Sequence, residues 1–409
     1  MDLKRLNVKY SLVNIGFMLL VSGSLGFAYN FLAQSGFADG TVGTTMSLVS
    51  LLGVFAGPAA ADLVDRSDKV TQKAFIAGSM IVCAVFSALL LIIPSGSFLI
   101  LPIVIIAFMC ATLGMPLLNG MAFIYEKAGG YINYGLCRGL GSAAYAVGSS
   151  LVGRIWAVLG RTTLPVWCIA GAVLTLVAIL AMPDAPKAQE SPSKKQQGKE
   201  ESISMVQFFG KYRDVTMVVL ALTLMYFCHF LIQTYLAKII GTFETQGIEA
   251  IQGRALFIQA MVELPTMFGF AFIMKKLGIP KILCIAAVVY SIKHVLIAFC
   301  GSVPMLYAAM VLQMFSYAAI IPATVYFSNE QVAEADRNKG QAVFAASSTA
   351  AMLLSSFIGG WLFQFLSARL VVGFGAVVSI AGTVLMFYGI QRCTKKRSNQ
   401  GVAKVRLKK

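Results

Sequence analysis

Twelve apolar runs, each near the length of a bilayer crossing, follow one another along this chain. They lie near residues 10–33, 42–62, 73–94, 98–124, 135–159, 163–182, 214–241, 251–274, 279–300, 303–328, 340–365 and 368–391. A helix rises about 1.5 Å per residue, so ~20 residues cross the ~30 Å hydrocarbon layer. Over its 409 residues the chain is 58% hydrophobic and only 12% charged, more apolar than a soluble domain of this length requires. The pattern predicts an all-α membrane protein with twelve transmembrane helices in two six-helix bundles.

The midpoint carries a different composition. Residues Asp184 to Ser202 read DAPKAQESPSKKQQGKEES, too polar to bury a core. The expected domains are residues 1–183, a cytoplasmic linker at 184–213, a second bundle at 214–391 and a basic tail at 392–409. Six helices, a linker and six helices form the layout of a transporter built from two parallel repeats.

The formal charge of +16 raises the question of a nucleic-acid partner, and its placement argues against one. Of the 33 basic residues, 26 fall in the N-terminus, alternate loops, linker and tail. That asymmetry is the positive-inside pattern, which places both termini in the cytoplasm of an inner (plasma) membrane protein. The tail is expected to be solvated, with membrane lipid as its neighbour. Seven of the eight cysteines fall in apolar spans and none form CxxC pairs, so neither a disulfide framework nor a metal site is expected. The first run is too long for a signal-peptide core and is taken as a helix. No cofactor is expected and no enzyme chemistry: nucleotide loops and catalytic spacings are missing, and the chain has two histidines.

Charges inside the spans point to function, because they are expensive there. Arg138 lies within YGLCRGLGSAAYAVGSSLVGRIW, Tyr134–Trp156, and Tyr145 follows seven residues on, on the same helix face. The alternative for Arg138 is to snorkel to the headgroups. Glu263, before Leu264-Pro265 in the eighth span, is the leading proton-coupling and substrate-binding candidate; its structural alternative is an ion pair with Lys293 or Lys238. Lys293 and His294 in the ninth span and His229 in the seventh are further proton-coupling candidates. His229 is equally readable as a packing residue. Lys238 is expected to snorkel at the outer membrane face. Gln313 and Asn119 are further substrate-binding candidates, with Glu263, Lys293 and Gln313 expected to hold substrate from the second half and Arg138 and Tyr145 from the first. Gly53 and Gly359-Gly360 are expected to be packing positions.

Several of these stretches resemble the major facilitator superfamily. The loop after the second span, GPAAADLVDRSDKVTQK from Gly57 to Lys73, is similar to that family's G-x-x-x-D-[RK]-x-G-x-[RK]-[RK] motif, with Ala61 and Asp68 replacing two glycines. Asp65 and Arg66 are the gating candidates, a latch that breaks as the halves rock. The matching second-half loop has Lys275 in the acid's position, which makes the latch one-sided. AGP at Ala56–Pro58, AFIYEK at Ala122–Lys127, YGLCRGLGSAAY at Tyr134–Tyr145, PDAP at Pro183–Pro186 and SIKHVLIAF at Ser291–Phe299 resemble the lactose permease, or oligosaccharide–proton symporter, group. That resemblance implies an arginine gripping sugar hydroxyls and an aromatic ring covering the sugar face, at Arg138 and Tyr145. It also implies an acid on the fourth helix, where this chain has Met121. Asn119 is a neutral substitute, and Glu126 an acid from another direction. Gln313 and Ser316 stand where that group carries its proton-coupling histidine and glutamate. If protons are coupled, Glu263 with Lys293 or His294 must do it.

The expectation is a monomeric secondary transporter that moves a small molecule, a sugar favoured, by alternating access through a central site, in symport with protons. A nucleoside or other small-metabolite carrier, or a uniporter or exporter without proton coupling, is the alternative. A receptor is disfavoured by the short polar linker and tail.

Overall fold

The computed structural model describes residues 3–67, 70–127, 130–184 and 204–406. Among them the regular elements are helical: α1 (Leu3–Ser24), α2 (Ala28–Gln34), α3 (Asp39–Arg66), α4 (Gln72–Ile92), α5 (Ile100–Lys127), α6 (Tyr134–Leu159), α7 (Thr163–Leu180), α8 (Met205–Lys211), α9 (Arg213–Thr234), α10 (Leu236–Ile240), α11 (Ile248–Leu277), α12 (Ile279–Ala298), α13 (Val303–Val311), α14 (Tyr317–Gln331), α15 (Arg337–Phe365) and α16 (Ala368–Arg406). Eleven stretches are long and apolar enough to cross a membrane, and one of them, Tyr134–Leu180, runs for 47 residues. A single helix of that length would measure about 70 Å, over twice the hydrocarbon thickness. It is two helices. Gly160, at φ +56°, takes a left-handed conformation that suits glycine and turns α6 into α7. The described residues therefore supply twelve crossings, matching the twelve apolar runs.

Three crossings are broken, which hydropathy does not reveal. The first bends between α1 and α2, where the Gly26 carbonyl accepts the buried Gln252 amide at 2.7 Å. The seventh bends between α9 and α10, at Tyr235. The tenth passes through a 3-10 turn, Leu312–Phe315, before α14. In a membrane, freed backbone groups persist only where side chains satisfy them, and Gln252 is such a partner.

The described chain packs as two compact units. Unit 1 holds the described part of Met1–Lys194 with Gln233–Met261 and Ser356–Leu366; unit 2 holds the described part of Lys195–Ile232, Val262–Ser355 and Ser367–Lys409. In unit 1, α1 packs on α6 and α7, and α4 on α5 and α7. Gly360 is a packing position, as expected: a Cβ built on it would lie 2.8 Å from Gly43 Cα and 2.6 Å from the Asp39 carbonyl. In unit 2, α12 packs on α14 and α16. Gly375, Gly382 and Gly389 line one face of α16 against Cys228, Ala221 and Val218 of α9.

Within the stretch expected as linker, α8 occupies Met205–Lys211. Ser204 Oγ accepts the Gln207 N–H at 3.2 Å and the Gln207 side chain accepts the Ser204 N–H at 2.7 Å, a reciprocal cap. Residues 185–203, Asp68 and Lys69 lie outside the described residues. So do the side chains of Asp65 and Arg66, at the end of α3. The last helix continues into the basic tail as far as Arg406; nothing in KKRSNQGVAKVR is a proline that would stop it.

Beside α8, Lys211 Nζ donates to Asp336 Oδ2 at 2.7 Å and the Tyr212 hydroxyl donates to the same oxygen at 2.8 Å. The bond to Asp336, then that to Tyr212, raises the Lys211 ammonium above its usual 10.5. A raised lysine contributes stability that is fully present below its unfolded value and is lost as pH rises through the folded one. Lys211→Met should therefore lower the thermal midpoint by the same ~1–2 °C near pH 6 and about pH 9. A gap that widens across that range would count against this account.

The glycine face gives a second expectation. A Cβ at Gly382 would meet the Ala221 carbonyl at 2.8 Å, whereas one at Gly373 meets nothing within 4 Å. Gly382→Val should cost about 1–3 kcal/mol by overpacking, read as a lower unfolding midpoint in detergent, while Gly373→Ala leaves the midpoint in place.

Candidate functional site

In unit 1, Arg138 and Tyr145 leave the same face of α6 and both are half-buried. Arg138 Nη1 donates to Ser142 Oγ, one turn on, at 3.4 Å, and Ser142 donates back to the Arg138 carbonyl at 3.3 Å. Among the described residues no carboxylate pairs with this guanidinium. Met121 is buried, at the position where the resemblance implies an acid. Glu126 is exposed near the end of α5. Asn119 Oδ1 is buried on α5 with no hydrogen-bond partner among the described residues. The arginine thus keeps most of its donor fork for other partners.

Lys238 has partners that the sequence did not suggest. It pairs with Asp39, which opens α3, and donates to the Phe363 carbonyl at 3.0 Å. The Tyr29 hydroxyl donates to Asp39 Oδ1 at 2.8 Å, and the Tyr235 hydroxyl to the Ser356 carbonyl at 2.7 Å. Asp39 sits in the first turn of α3, where the helix dipole favours an anion. That helix-start position is the signal that sequence reasoning passed over.

In unit 2 the expected charges meet through an amide. Glu263 on α11, half-buried, accepts Gln313 Nε2–H at 2.9 Å. Gln313 Oε1 in turn accepts from Lys293 Nζ on α12. Lys293 is 1% exposed and Gln313 0%. A lysine only donates, so it fixes which end of the amide faces it, and Nε2 is left for Glu263. A proline and a 3-10 turn flank this chain. Pro265 lies inside α11, where it removes a backbone donor. Ser316, after the 3-10 turn, takes φ −113° and ψ −98°. Thr266 Oγ1 donates to the Met314 carbonyl at 2.8 Å, tying the two stretches together.

His294 is wholly buried beside this chain. Donor counting fixes its tautomer. Thr383 Oγ1 gives its proton to the Ala287 carbonyl at 3.0 Å, so Ser291 Oγ donates to Thr383 at 2.8 Å. Ser379 then donates to Ser291 at 3.2 Å and accepts from His294 Nδ1–H at 2.8 Å. His294 Nε2 keeps a lone pair, with no partner among the described residues, as does the hydroxyl of buried Tyr290. The two rings lie 4.5 Å apart. His229, also buried, stacks on Tyr317 at 4.8 Å and 17° and lies 5.6 Å from Tyr290. Its place is an aromatic stack with Tyr226, Tyr290 and Tyr317. These tyrosines, and Ser291, Ser379 and Thr383, were not singled out from sequence. Hydroxyls in apolar helices are common and carry no spacing signal, although Ser379 and Thr383 do fall one turn apart.

With this geometry in place, comparison with known proteins is decisive for the family. The model described as "MFS_1 like family" matches residues 10–374. The chain belongs to that family. As a member of the MFS_1 like family it is an MFS-type, multi-pass membrane transporter. No curated protein sequence matches it. Solved structures do. A variant of the nucleoside transporter NupG superposes with TM-score 0.80 at 14% identity, over 94% of this chain and 99% of that one. A bacterial homologue of the human lysosomal transporter Spinster gives 0.71 at 14% identity, over 96% and 98%. The peptide transporter POT, as a variant bound to alafosfalin, gives 0.72 at 12% identity, over 97% and 98%. At these identities the likeness is one of fold.

The hydroxyl ladder generates a test of its own. Ser379→Ala strands the buried Nδ1–H of His294 and should cost roughly 1–3 kcal/mol, while Ser379→Thr keeps the acceptor. Equal unfolding midpoints for the alanine variant and wild type would refute the assigned tautomer.

Proposed function

We propose that this transporter moves a sugar or oligosaccharide across the inner membrane by alternating access, in symport with protons and as a monomer. Both termini then face the cytoplasm, the side on which the basic loops gather. The carrying observation is Arg138: a guanidinium on a membrane helix whose described hydrogen-bond partner is one serine, with Tyr145 two turns along the same face. A guanidinium fork suits vicinal hydroxyls and a ring suits the apolar face of a sugar. Asn119, with its buried unsatisfied oxygen, is a further hydroxyl partner. Glu263 carries the proton, with Lys293, His294 and His229 around it. Asp65 and Arg66 form the latch that opens during the cycle.

A second reading is supported by one observation. The likeness to NupG, a nucleoside transporter, extends over 94% of this chain, and a ribose diol fits the same fork.

Counterflow in proteoliposomes preloaded with disaccharides, monosaccharides and nucleosides separates the two, because it needs no driving ion. Sugar exchange is expected, reduced roughly 100-fold in Arg138→Ala, the worth of one strong charge-assisted bond, and poorly restored by Arg138→Lys, which lacks the fork. Nucleoside exchange alone would move the substrate class to the second reading. No exchange of any panel member by folded protein would remove both.

A further inference from the structure

We propose that Gln313 is the positioning residue of proton coupling: a fixed amide that holds the buried ammonium of Lys293 one side chain away from Glu263 and transmits the carboxylate's protonation state to it. This rests on the reading of Glu263 as the proton carrier.

Gln313 is an unsuitable substrate contact. It is 0% exposed, its Oε1 is taken by Lys293 and its Nε2 by Glu263. Its usefulness lies in what it separates. An ammonium directly against a carboxylate in a low-dielectric interior favours the ionised acid strongly, and an acid locked in that state cannot load a proton. An amide between them passes the attraction on in weakened form. Its orientation is not free, since the lysine accepts nothing and holds the carbonyl oxygen.

The two states of Glu263 then differ along the whole chain. Ionised, it takes Nε2–H in a charge-assisted bond, which polarises the amide and strengthens the bond from Lys293 in the same sense. Protonated, it offers a neutral oxygen and both bonds weaken. The proton is thus registered on α11, on the 3-10 turn of the tenth crossing and on α12 together. The turn is where the change can be absorbed, because Leu312–Phe315 is already out of α-helical register. Among the described residues, the titratable groups around this chain include Tyr290 and His294 on α12, Tyr226, Cys228 and His229 on α9, and Tyr317 on α14.

The test compares wild type with Gln313→Ala and Gln313→Glu, each first shown to be folded by thermal unfolding. Two rates are measured in proteoliposomes with the sugar or nucleoside that the counterflow panel identifies. One is counterflow, without net proton movement; the other is accumulation driven by a pH gradient, across a pH series. Gln313→Ala removes the spacer and lets the flexible Lys293 side chain reach Glu263. Counterflow should stay within about threefold of wild type while accumulation falls roughly tenfold or more, and the pH midpoint of transport should move to lower pH. Gln313→Glu puts two carboxylates on one ammonium, so one of them keeps its proton to higher pH, and the midpoint should move up. A merely structural role would depress both rates together and leave the midpoint in place; that result, or accumulation like wild type's in both variants, overturns the proposal. Wild type that exchanges substrate but shows no proton-driven accumulation would overturn the proton reading and this proposal with it. Wild type that accumulates alongside unaffected variants would overturn this proposal alone.

Discussion

One buried ammonium sets the terms for unit 2. Lys293 is 1% exposed on a helix rich in isoleucine, valine, leucine and alanine, and an isolated charge in such surroundings costs several kcal/mol or more. The residues that compensate are drawn from other helices. The 3-10 turn brings Gln313 to Lys293. Glu263 lies two residues before Pro265, and Thr266 holds the Met314 carbonyl.

Unit 1 meets the same constraint by different means. Its broken crossing leaves the Gly26 carbonyl to Gln252, and its half-buried lysine, Lys238, is matched by an acid at a helix start. Arg138 is the exception, since its described polar partner is a serine on its own helix. That light matching is the observation on which the proposed role of Arg138 rests.

The twelve crossings were legible because length and apolarity alone set them, and the polar candidates because charge inside a span is rare. What was not legible was partnership. Glu263, Lys293 and Gln313 are separated by up to 50 residues, and no spacing rule says that the glutamine stands between the charges. Lys238 was assigned to the headgroups because its acid, Asp39, lies 199 residues away in what read as a loop. The breaks at Leu25–Phe27 and Tyr235 were invisible, since a bent apolar helix has the same hydropathy as a straight one. The hydroxyl ladder to His294 was missed for a related reason: serine and threonine inside a membrane helix usually bond to their own backbone, so sequence gives no cue when they bond across.

Gly375, Gly382 and Gly389 recur every seven residues along α16. Two turns of an α-helix take slightly more than seven residues, so a strict seven-residue row drifts by about 20° per repeat around the helix surface. A partner that stays in the row must follow the drift, which gives the pair α9 and α16 a left-handed wrap. The spacing of three residues without side chains thus bears on the handedness with which two of this transporter's helices wind about each other.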